Sequence, residues 1–390
     1  MENLEVNIIV IANLLALIQG VILGMVLIFT NRKNRPSLFL GLFLLLYSIE
    51  LIDTILYDTF FYEDNPQWLL LPIFFYFATV PLLYLYTKSL IQPISIKKHI
   101  GILIPGFVEF FVLLILFFLP TPTKLEVFDS SGFYIFHSIG SLVFSIYWVI
   151  RILLLINTHQ KAVDNFYSQT NGKYLNWVKS VGIFMIFFYS IWLVEPLMSE
   201  DFYFNYAYPF LTMINFVFIY WVAISGIRQF AVPTEMQESN INQPTSYNEE
   251  MVVESVAIIS ESQTDKEIVS KESNTPNPKF LELVHQIQTK KLYTDADLTL
   301  KILSQKVMIS MRELSQLINQ EAGVNFNVFI NQYRIEEAKQ LLVNPKFDHL
   351  TILGIAYEVG FNSKATFYSM FKKFTNTTPT KYKNTQQKAK

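Results

Sequence analysis

Cysteine is absent from this sequence, and charged residues are scarce. Without cysteine, the chain can form no disulfide, no thiolate-bound zinc site and no thiol nucleophile. Charged residues make up 16% of the 390 residues, whereas a soluble globular chain carries roughly 25%. Hydrophobic residues account for 52% and aromatic residues for 16%. Because most of the charge deficit lies in the first 230 residues, the composition predicts a large membrane-embedded part.

The apolar part also lacks the common catalytic motifs. It has no paired-histidine motif, no phosphate-binding loop and no Gly-x-Ser-x-Gly sequence. We therefore expect no enzyme activity, no cofactor and no metal site in this chain.

Seven apolar stretches approach the ~20 residues that a helix needs to cross a bilayer. They lie at about 7–29, 37–57, 69–91, 99–119, 133–157, 177–198 and 206–228. The sequence thus predicts an all-α fold in which residues 1–230 form a seven-helix transmembrane bundle with a sensing role.

Basic residues are concentrated in alternate loops between these stretches. Those loops hold Arg32, Lys33, Arg35, Lys97, Lys98, Lys161 and Lys173, with Arg228 after the last span. The opposite loops hold Lys124 and are otherwise acidic, with Asp58, Glu63, Asp64, Glu200 and Asp201. By the positive-inside rule, the N-terminus lies outside the cytoplasmic membrane and the C-terminus inside the cell. Glu2 and Glu5 precede the first span, so it is not expected to be a cleaved signal peptide.

Several ionisable residues lie within the apolar stretches, where charge is costly and usually faces a bundle interior or a watery cavity. One hypothesis is a ligand or signal pocket that opens to the outside, lined by Glu50, Asp53, His137 and Glu195. The alternative is that Glu50 and Glu109 bond to neighbouring helices while the others reach the membrane surface.

Gly20 and Gly24 form a G-x-x-x-G pattern in the first span, which permits close contact between helices. The pattern also arises by chance in apolar sequence. A homodimer is therefore left open.

Charge separates the rest of the chain into two parts. Residues 231–275 carry 2 basic and 9 acidic residues, and we expect a flexible acidic linker there. Residues 276–390 carry 16 basic and 9 acidic residues. A basic block behind an acidic spacer suggests a tethered domain that binds a polyanion. The alternative is a soluble domain that happens to be basic.

Apolar residues recur at helical spacing from residue 277 onward. We expect a first helix through Phe280 and Ile287, a second at about 300–307, and a third that ends at Gly323. Ser310 and Glu313 have the spacing of a capping box for that third helix. A longer helix at about 326–343 precedes a second short pair, which begins at Thr351 and turns at 360–363. The pattern predicts two helix-turn-helix motifs joined by one long helix.

Four runs in this region resemble the signature of the AraC/XylS family. They are QYRIEEAKQLL at 332–342, IAYEVGFNS at 355–363, FYSMFKKF at 367–374 and TPTKY at 378–382. The resemblance covers about 295–384. It implies a seven-helix domain whose two recognition helices enter adjacent major grooves of double-stranded DNA and regulate transcription. Three positions depart from the family pattern: Gly354 replaces an acidic residue, Asn376 replaces glycine and Lys383 replaces arginine.

Two helix faces carry side chains suited to contact DNA. The helix opened by Ser310 presents Arg312, Ser315, Gln316 and Asn319. Arginine favours guanine in the major groove, and glutamine or asparagine favours adenine. The matching face of the helix opened by Ser363 carries Lys364, Ala365, Thr366 and Ser369. The resemblance places base reading on Arg312, Ser315, Gln316, Ala365, Thr366 and Ser369. Lys364, Lys372 and Lys373 suit phosphates, and the alternative is a face that is merely solvated.

The leading hypothesis is a one-component regulator in the bacterial inner membrane that binds DNA through its cytoplasmic domain. We expect the lipid bilayer, double-stranded DNA, RNA polymerase and an unknown signal ligand as its partners. The rival is a membrane receptor or transporter whose helix-turn-helix domain binds proteins. Transporters often carry internal repeats, and the spans show no obvious one. Signalling by dimerisation, by a shift in helix packing or by proteolytic release remains open.

Overall fold

The computed structural model describes residues 8–30, 35–92, 94–128, 130–170, 173–229 and 277–388. Within them, 8–158 and 175–229 form one compact unit, which we name the apolar unit. Residues 159–174 and 277–388 form a second, which we name the C-terminal unit. The linker expected at 231–275, together with Arg32 and Lys33, lies outside the described residues.

Nine helices of at least eight residues build the apolar unit in the described part of the chain, and the seventh of them continues beyond residue 158 into the segment that belongs to the C-terminal unit. They are α1 (Ile8–Thr30), α2 (Arg35–Ile49), α3 (Leu51–Asp58), α4 (Tyr76–Ile91), α5 (Ile104–Phe117), α6 (Thr121–Phe128), α7 (Ser141–Phe166), α8 (Asn176–Val194) and α9 (Tyr208–Arg228). Shorter helical turns connect them, at Phe61–Asp64, Pro66–Trp68, Ile96–His99, Ile100–Leu103, Ser131–Tyr134, Ile135–Gly140, Glu195–Leu197, Glu200–Phe202 and Tyr203–Ala207.

Five helical segments among the described residues are long and apolar enough to cross a membrane. They are Ile8–Phe29, Pro36–Asp58, Lys97–Phe117, Ser131–Phe166 and Glu200–Arg228. The third and sixth expected spans correspond to α4 and α8, of 16 and 19 residues. The count of seven spans stays a prediction.

Helix starts in the apolar unit differ from those expected from hydropathy alone. The stretch at 69–91 becomes helical only at Tyr76, because Leu70 adopts a left-handed backbone (φ 60°) and Pro72 follows it. The stretch at 99–119 begins with a 3-10 turn at Ile100–Leu103 and continues as α5, with Pro105 in the first turn. Proline and local backbone geometry therefore set these boundaries.

The glycines of the first span lie against helices of the same chain. A Cβ placed on Gly24 would come within 2.9 Å of the carbonyl oxygen of Gly41 on α2. A Cβ on Gly20 would overlap the side chain of Ser48. The G-x-x-x-G pattern thus serves close packing of α1 against α2.

The C-terminal unit contains seven helices in its described residues. They are α10 (Pro278–Thr289), α11 (Leu300–Val307), α12 (Met311–Glu321), α13 (Phe326–Val343), α14 (Ile352–Glu358), α15 (Lys364–Thr375) and α16 (Pro379–Lys388). Single 3-10 turns lie at Leu292–Thr294 and Pro345–Phe347. The helices expected at about 300–307 and 326–343 are both present with those bounds.

Side chains at the helix starts explain these boundaries. The hydroxyl of Ser310 accepts a hydrogen bond from the backbone N–H of Glu313 at 3.3 Å, as the capping box predicts. Thr351 accepts from Gly354 N–H at 2.9 Å, and Ser363 accepts from Thr366 N–H at 3.4 Å. Each cap satisfies a backbone donor that the helix itself leaves unpaired.

The second half of the C-terminal unit packs around the C-terminal part of α13. Its core comprises Ile335, Ala338, Leu342, Ile355, Ala356, Val359, Phe361, Phe367 and Phe371. The rings of Phe361, Phe367 and Phe371 meet edge to face, 5.2 to 5.6 Å apart. The long helix therefore supports the pair α14 and α15.

Candidate nucleic-acid interface

Helix α12 is the second helix of the first helix pair, formed with α11. The chain turns between them at Met308, whose backbone is left-handed (φ 59°), and α12 then begins after the Ser310 cap. Arg312 and Gln316 are exposed, and Asn319 is half-buried. Ser315 is only 5% exposed. The first turns of α12 therefore present a guanidinium and an amide to solvent, while the Ser315 hydroxyl faces inward.

Helix α15 is the second helix of the second pair, formed with α14. Gly360 makes the turn between them with φ 95°, where a Cβ would come within 2.6 Å of the Thr294 carbonyl oxygen. Lys364, Ala365 and Ser369 are exposed. Thr366 is 8% exposed, because it packs at the first turn beside its Ser363 cap. Base reading by Ser315 and Thr366 stays a prediction, and it would need these buried hydroxyls to become accessible.

Basic side chains continue along α15. Lys372 and Lys373 are exposed in its last turn, where a positive charge also interacts favourably with the helix dipole. The Lys364 ammonium lies 5.6 Å from the centre of the Tyr368 ring. This helix thus carries three cations beside two small exposed side chains, a surface better suited to phosphates than to base edges.

The three departures from the family pattern fit their local surroundings. Asn376 ends α15 in a left-handed conformation (φ 54°), which asparagine tolerates better than most non-glycine residues. Lys383 pairs with Asp348 at 2.9 Å. Gly354 contributes its N–H to the Thr351 cap.

Arg334 is fully buried in the middle of α13. Its Nε donates to the Tyr293 carbonyl at 2.6 Å, and its Nη2 donates to the Asp295 carbonyl at 2.7 Å. Its Nη1 donates to the side-chain oxygen of Asn331 at 3.2 Å. Burial lowers the Arg334 pKa to about 10, and the charge of Asp295 acts in the opposite direction. The guanidinium therefore stays charged at neutral pH and fastens the 293–295 loop to α13.

A cavity of about 150 Å³ lies in the apolar unit. Glu50, Asp53 and Glu195 line it, three of the four residues expected to form a pocket. Glu50 accepts a hydrogen bond from Phe75 N–H at 3.0 Å, and Asp53 accepts one from the Tyr62 hydroxyl at 2.6 Å. The remaining lining includes the aromatic side chains of Tyr47, Phe74, Tyr76, Phe188, Tyr189, Tyr203 and Tyr208.

His137 is not part of the cavity lining. Its Nε2 lies 3.9 Å from Glu109, and its ring stacks on Phe133 and meets Phe74 and Tyr76. Because Phe74 and Tyr76 themselves line the cavity, His137 lies behind that wall. Among the described residues, no group of three metal-ligating side chains comes together.

Sequence reasoning missed the residues that organise the C-terminal unit. Arg334 lies inside the 332–342 run but was given no role there. Ser168 and Gln169 lie between the fifth and sixth expected spans and were given no role, although they are 1% and 4% exposed. A buried polar loop needs many specific partners, and no periodic pattern in a sequence reports them.

The family comparison covers most of this unit. A helix-turn-helix domain model matches residues 303–385. A helix-turn-helix transcriptional regulator of Pseudoalteromonas carrageenovora is 32% identical over 120 residues, which is 30% of this chain and 68% of that protein. An uncharacterized regulator of the same type from Staphylococcus aureus strain COL is 40% identical over 92 residues. That match covers 24% of this chain and 12% of the longer relative.

A solved structure is also similar to a part of this chain. The C-terminal domain of AraT, a response regulator from Geobacillus stearothermophilus, is 30% identical and has a TM-score of 0.26. The match covers 29% of this chain and 88% of that domain. The family model ends within the C-terminal unit, and the apolar unit lies outside it.

Proposed function

Because the chain belongs to the helix-turn-helix transcriptional regulators and carries an AraC-type domain at its C-terminal end, we propose that it is a membrane-anchored, one-component sensor that binds specific DNA sequences. One observation carries this proposal. The chain contains two capped helix pairs and also five apolar helical segments long enough to cross a membrane. The first pair presents Arg312 and Gln316, and the second presents Lys364. Each pair acts as one helix-turn-helix motif, and α13 joins the two.

In this proposal some side chains of the two helix pairs contact bases and others contact phosphates. Arg312, Gln316 and Asn319 on α12 and Ala365 and Ser369 on α15 read bases, and Lys364, Lys372 and Lys373 contact phosphates. Ser315 and Thr366 add base contacts where DNA binding makes their buried hydroxyls accessible. Helix α13 has 18 residues, so it is roughly 27 Å long. Successive major-groove faces on one side of DNA lie ~34 Å apart. The length of α13 suits two motifs that bind adjacent grooves.

The exposed surface of the apolar unit supports membrane anchoring. On α5, Phe107, Phe111 and Ile115 are 53%, 56% and 67% exposed. Large contiguous apolar surface is rare on soluble monomers, and lipid tails would cover it. The chain has no cysteine, so single cysteines can map its topology: Lys161→Cys should react with an impermeant maleimide only in opened cells, and Glu200→Cys also in intact cells.

The cavity of the apolar unit is the proposed signal site. Three carboxylates and seven aromatic side chains line it, without a lysine or arginine. Carboxylates and aromatic faces both attract organic cations. Choline should therefore raise the melting temperature of the chain in nanodiscs, and its neutral isostere 3,3-dimethylbutanol should not. Glu50→Gln should remove the effect of choline, and equal effects of both compounds would contradict a cation site.

The DNA proposal is tested by selecting binding sites from random DNA with the full chain in nanodiscs. A defined motif is expected, and Arg312→Ala or Gln316→Ala should each cost about 1–3 kcal/mol and blur the motif at a fixed position. Gln288→Ala on α10 and Lys290→Ala directly after it remove an exposed amide and an exposed cation, and they should leave the motif intact. Lys372→Ala should weaken binding to all sequences and reduce its salt dependence.

The result also separates the proposal from its rival. Binding without a motif, or no binding, would favour a membrane receptor or transporter whose C-terminal unit binds proteins. Uptake of a labelled solute into vesicles would support that rival directly. RNA polymerase and a second copy of the chain are further proposed partners, and each requires a test of its own.

A further inference from the structure

A short polar segment from the sequence between α7 and α8 is buried within the C-terminal unit. Ser168, Gln169 and Thr170 are 1%, 4% and 8% exposed. Tyr167 pairs with Thr299 in an isolated antiparallel β-bridge. Since buried polar groups without partners are costly, the contacts of this segment show what it is built to bind.

Ser168 uses every polar atom it has. Its N–H and hydroxyl both donate to the Leu298 carbonyl, at 3.3 and 2.6 Å. Its carbonyl accepts from the side-chain amides of Asn327 and Asn331, both at 2.9 Å. Its hydroxyl also accepts from Arg334 Nη2 at 3.2 Å. One serine thus joins the residue before the Thr299 cap of α11 to the long helix α13.

Gln169 reaches the second helix pair. Its side-chain Nε2 donates to the Gly360 carbonyl at 2.6 Å, and its Oε1 accepts from Asn362 N–H at 3.2 Å. These two backbone groups belong to the turn that ends at Ser363, the cap of α15. A two-point amide contact of this kind fixes the turn in position and direction.

Taken together, the segment touches the three elements that set the orientation of the two helix pairs. Leu298 precedes the first pair, Asn327 and Arg334 lie on the helix between the pairs, and Gly360 lies in the turn of the second. None of these contacts involves Arg312 or Gln316, the exposed side chains of α12. The segment therefore stabilises the arrangement of the two helix pairs, and its contacts leave the exposed side chains of α12 uncovered.

We propose that residues 167–169 are an internal ligand of the C-terminal unit, and that their docking holds its two helix pairs in the arrangement that binds DNA at two adjacent sites. This inference rests on the proposed DNA-binding function. The segment is continuous in sequence with α7 before it and leads to α8 after it. A signal that shifts these helices breaks the hydrogen bonds of Ser168 and Gln169 to the C-terminal unit. Without these hydrogen bonds, the two helix pairs can change their relative orientation. The docked state is the high-affinity state, because a preorganised pair of readers binds two sites at a smaller entropic cost.

The test compares a complete operator with a half-operator that only α12 can read. Both come from the DNA selected by the full chain in nanodiscs. Ser168→Ala combined with Gln169→Ala should weaken binding to the complete operator at least about 10-fold, because the two helix pairs then bind their DNA sites independently. Binding to the half-operator should stay unchanged. Thr158→Ala, an exposed position near the segment on α7, is the matched control and should change neither.

Two results would overturn the proposal. Equal losses on both operators would mean that the variant only damages the fold, and unchanged or tighter binding to the complete operator would mean that docking does not favour DNA binding. The expected result is a selective loss on the complete operator.

A second measurement reports docking without DNA. The chain lacks cysteine, so Lys173→Cys, beside the segment, and Asp297→Cys, beside Leu298, introduce the two thiols available to a short bis-maleimide. These two side chains interact electrostatically and neither is buried. The double variant should cross-link within one chain and keep high affinity for the complete operator, whereas each single variant should not cross-link. No cross-link would overturn docking. If the wild-type chain selects no operator, the proposed function fails, while the cross-link still decides whether the segment docks.

Discussion

The two units of the molecule begin their helices in different ways. In the C-terminal unit, α10 to α15 each start at an asparagine, serine or threonine whose side chain accepts a backbone N–H. In the apolar unit, α3, α4, α5, α8 and α9 start without such a contact. The first pattern marks each helix end in the sequence itself, and the second does not.

The two units also differ in how many apolar side chains they expose. Large exposed apolar side chains in the described C-terminal unit are limited to Leu281, Met308 and Tyr357. The apolar unit exposes many, including a row along α5. A helix in water is stabilised by one buried stripe and by its caps, whereas a helix in lipid can be apolar all round. The two units should therefore be stabilised by different interactions. Substitutions of the same kind should then have different effects on stability in each unit.

The largest contrast is expected for buried phenylalanine in the C-terminal unit. Phe367 is fully buried against Phe361 and Phe371. Phe367→Ala should lower the free energy of unfolding of this unit by about 3–5 kcal/mol. Pulse proteolysis of the full chain in urea would measure the loss. Tyr357→Ala on α14, at an exposed position, is the control, and an equal loss there would contradict the packing argument.

A charged substitution at an exposed position should distinguish the two units most directly. Phe111→Asp on α5 should raise the apparent free energy of membrane insertion of segment 97–117 by about 3 kcal/mol, because a carboxylate near the middle of a span is poorly solvated. Leu281→Asp, at a similarly exposed position of α10, should change stability by no more than about 0.5 kcal/mol. An insertion reporter measures the first and urea unfolding the second. Similar small effects at both positions would argue against lipid around α5.

Removal of a helix cap should have a medium effect. Ser310→Ala or Thr351→Ala should each destabilise the C-terminal unit by about 1 kcal/mol, since a backbone N–H then loses its acceptor. Ser310→Gly should cost only a few tenths of a kcal/mol, because glycine tolerates the cap conformation and exposes the backbone to water. Urea midpoints measure both, and an equal cost for alanine and glycine would contradict a capping role.

The smallest effect is expected for a glycine in place of Asn376, at the end of α15. Asn376→Gly should change stability by at most about 0.5 kcal/mol, because both residues adopt the left-handed conformation. Asn376→Val should cost more, about 1–2 kcal/mol, since a branched Cβ is strained there. The same urea experiment measures both variants, and a tolerated valine would show that the backbone relaxes.

This contrast also explains what could be predicted from the sequence. The bounds of α13 and the cap at Ser310 were correct because periodicity and caps are local signals. The predicted start of α4 was wrong by several residues. The stretch at 69–75 is apolar, but hydropathy does not report the left-handed backbone of Leu70. Glu50, Asp53 and Glu195 share a cavity, whereas His137 lies behind it. The role of Ser168 lay beyond prediction, because its partners are far away in the sequence.

The long sequence separation within the 167–169 contacts has a consequence for biosynthesis. Gln169 leaves the ribosome 191 residues before Gly360, its hydrogen-bond partner. At a synthesis rate of 5–20 residues per second, the segment waits about 10–40 s for that partner. During this interval its polar groups must be held by water or by a chaperone. With the proposed membrane anchoring, the two flanking helices enter the membrane before the C-terminal unit can complete its fold.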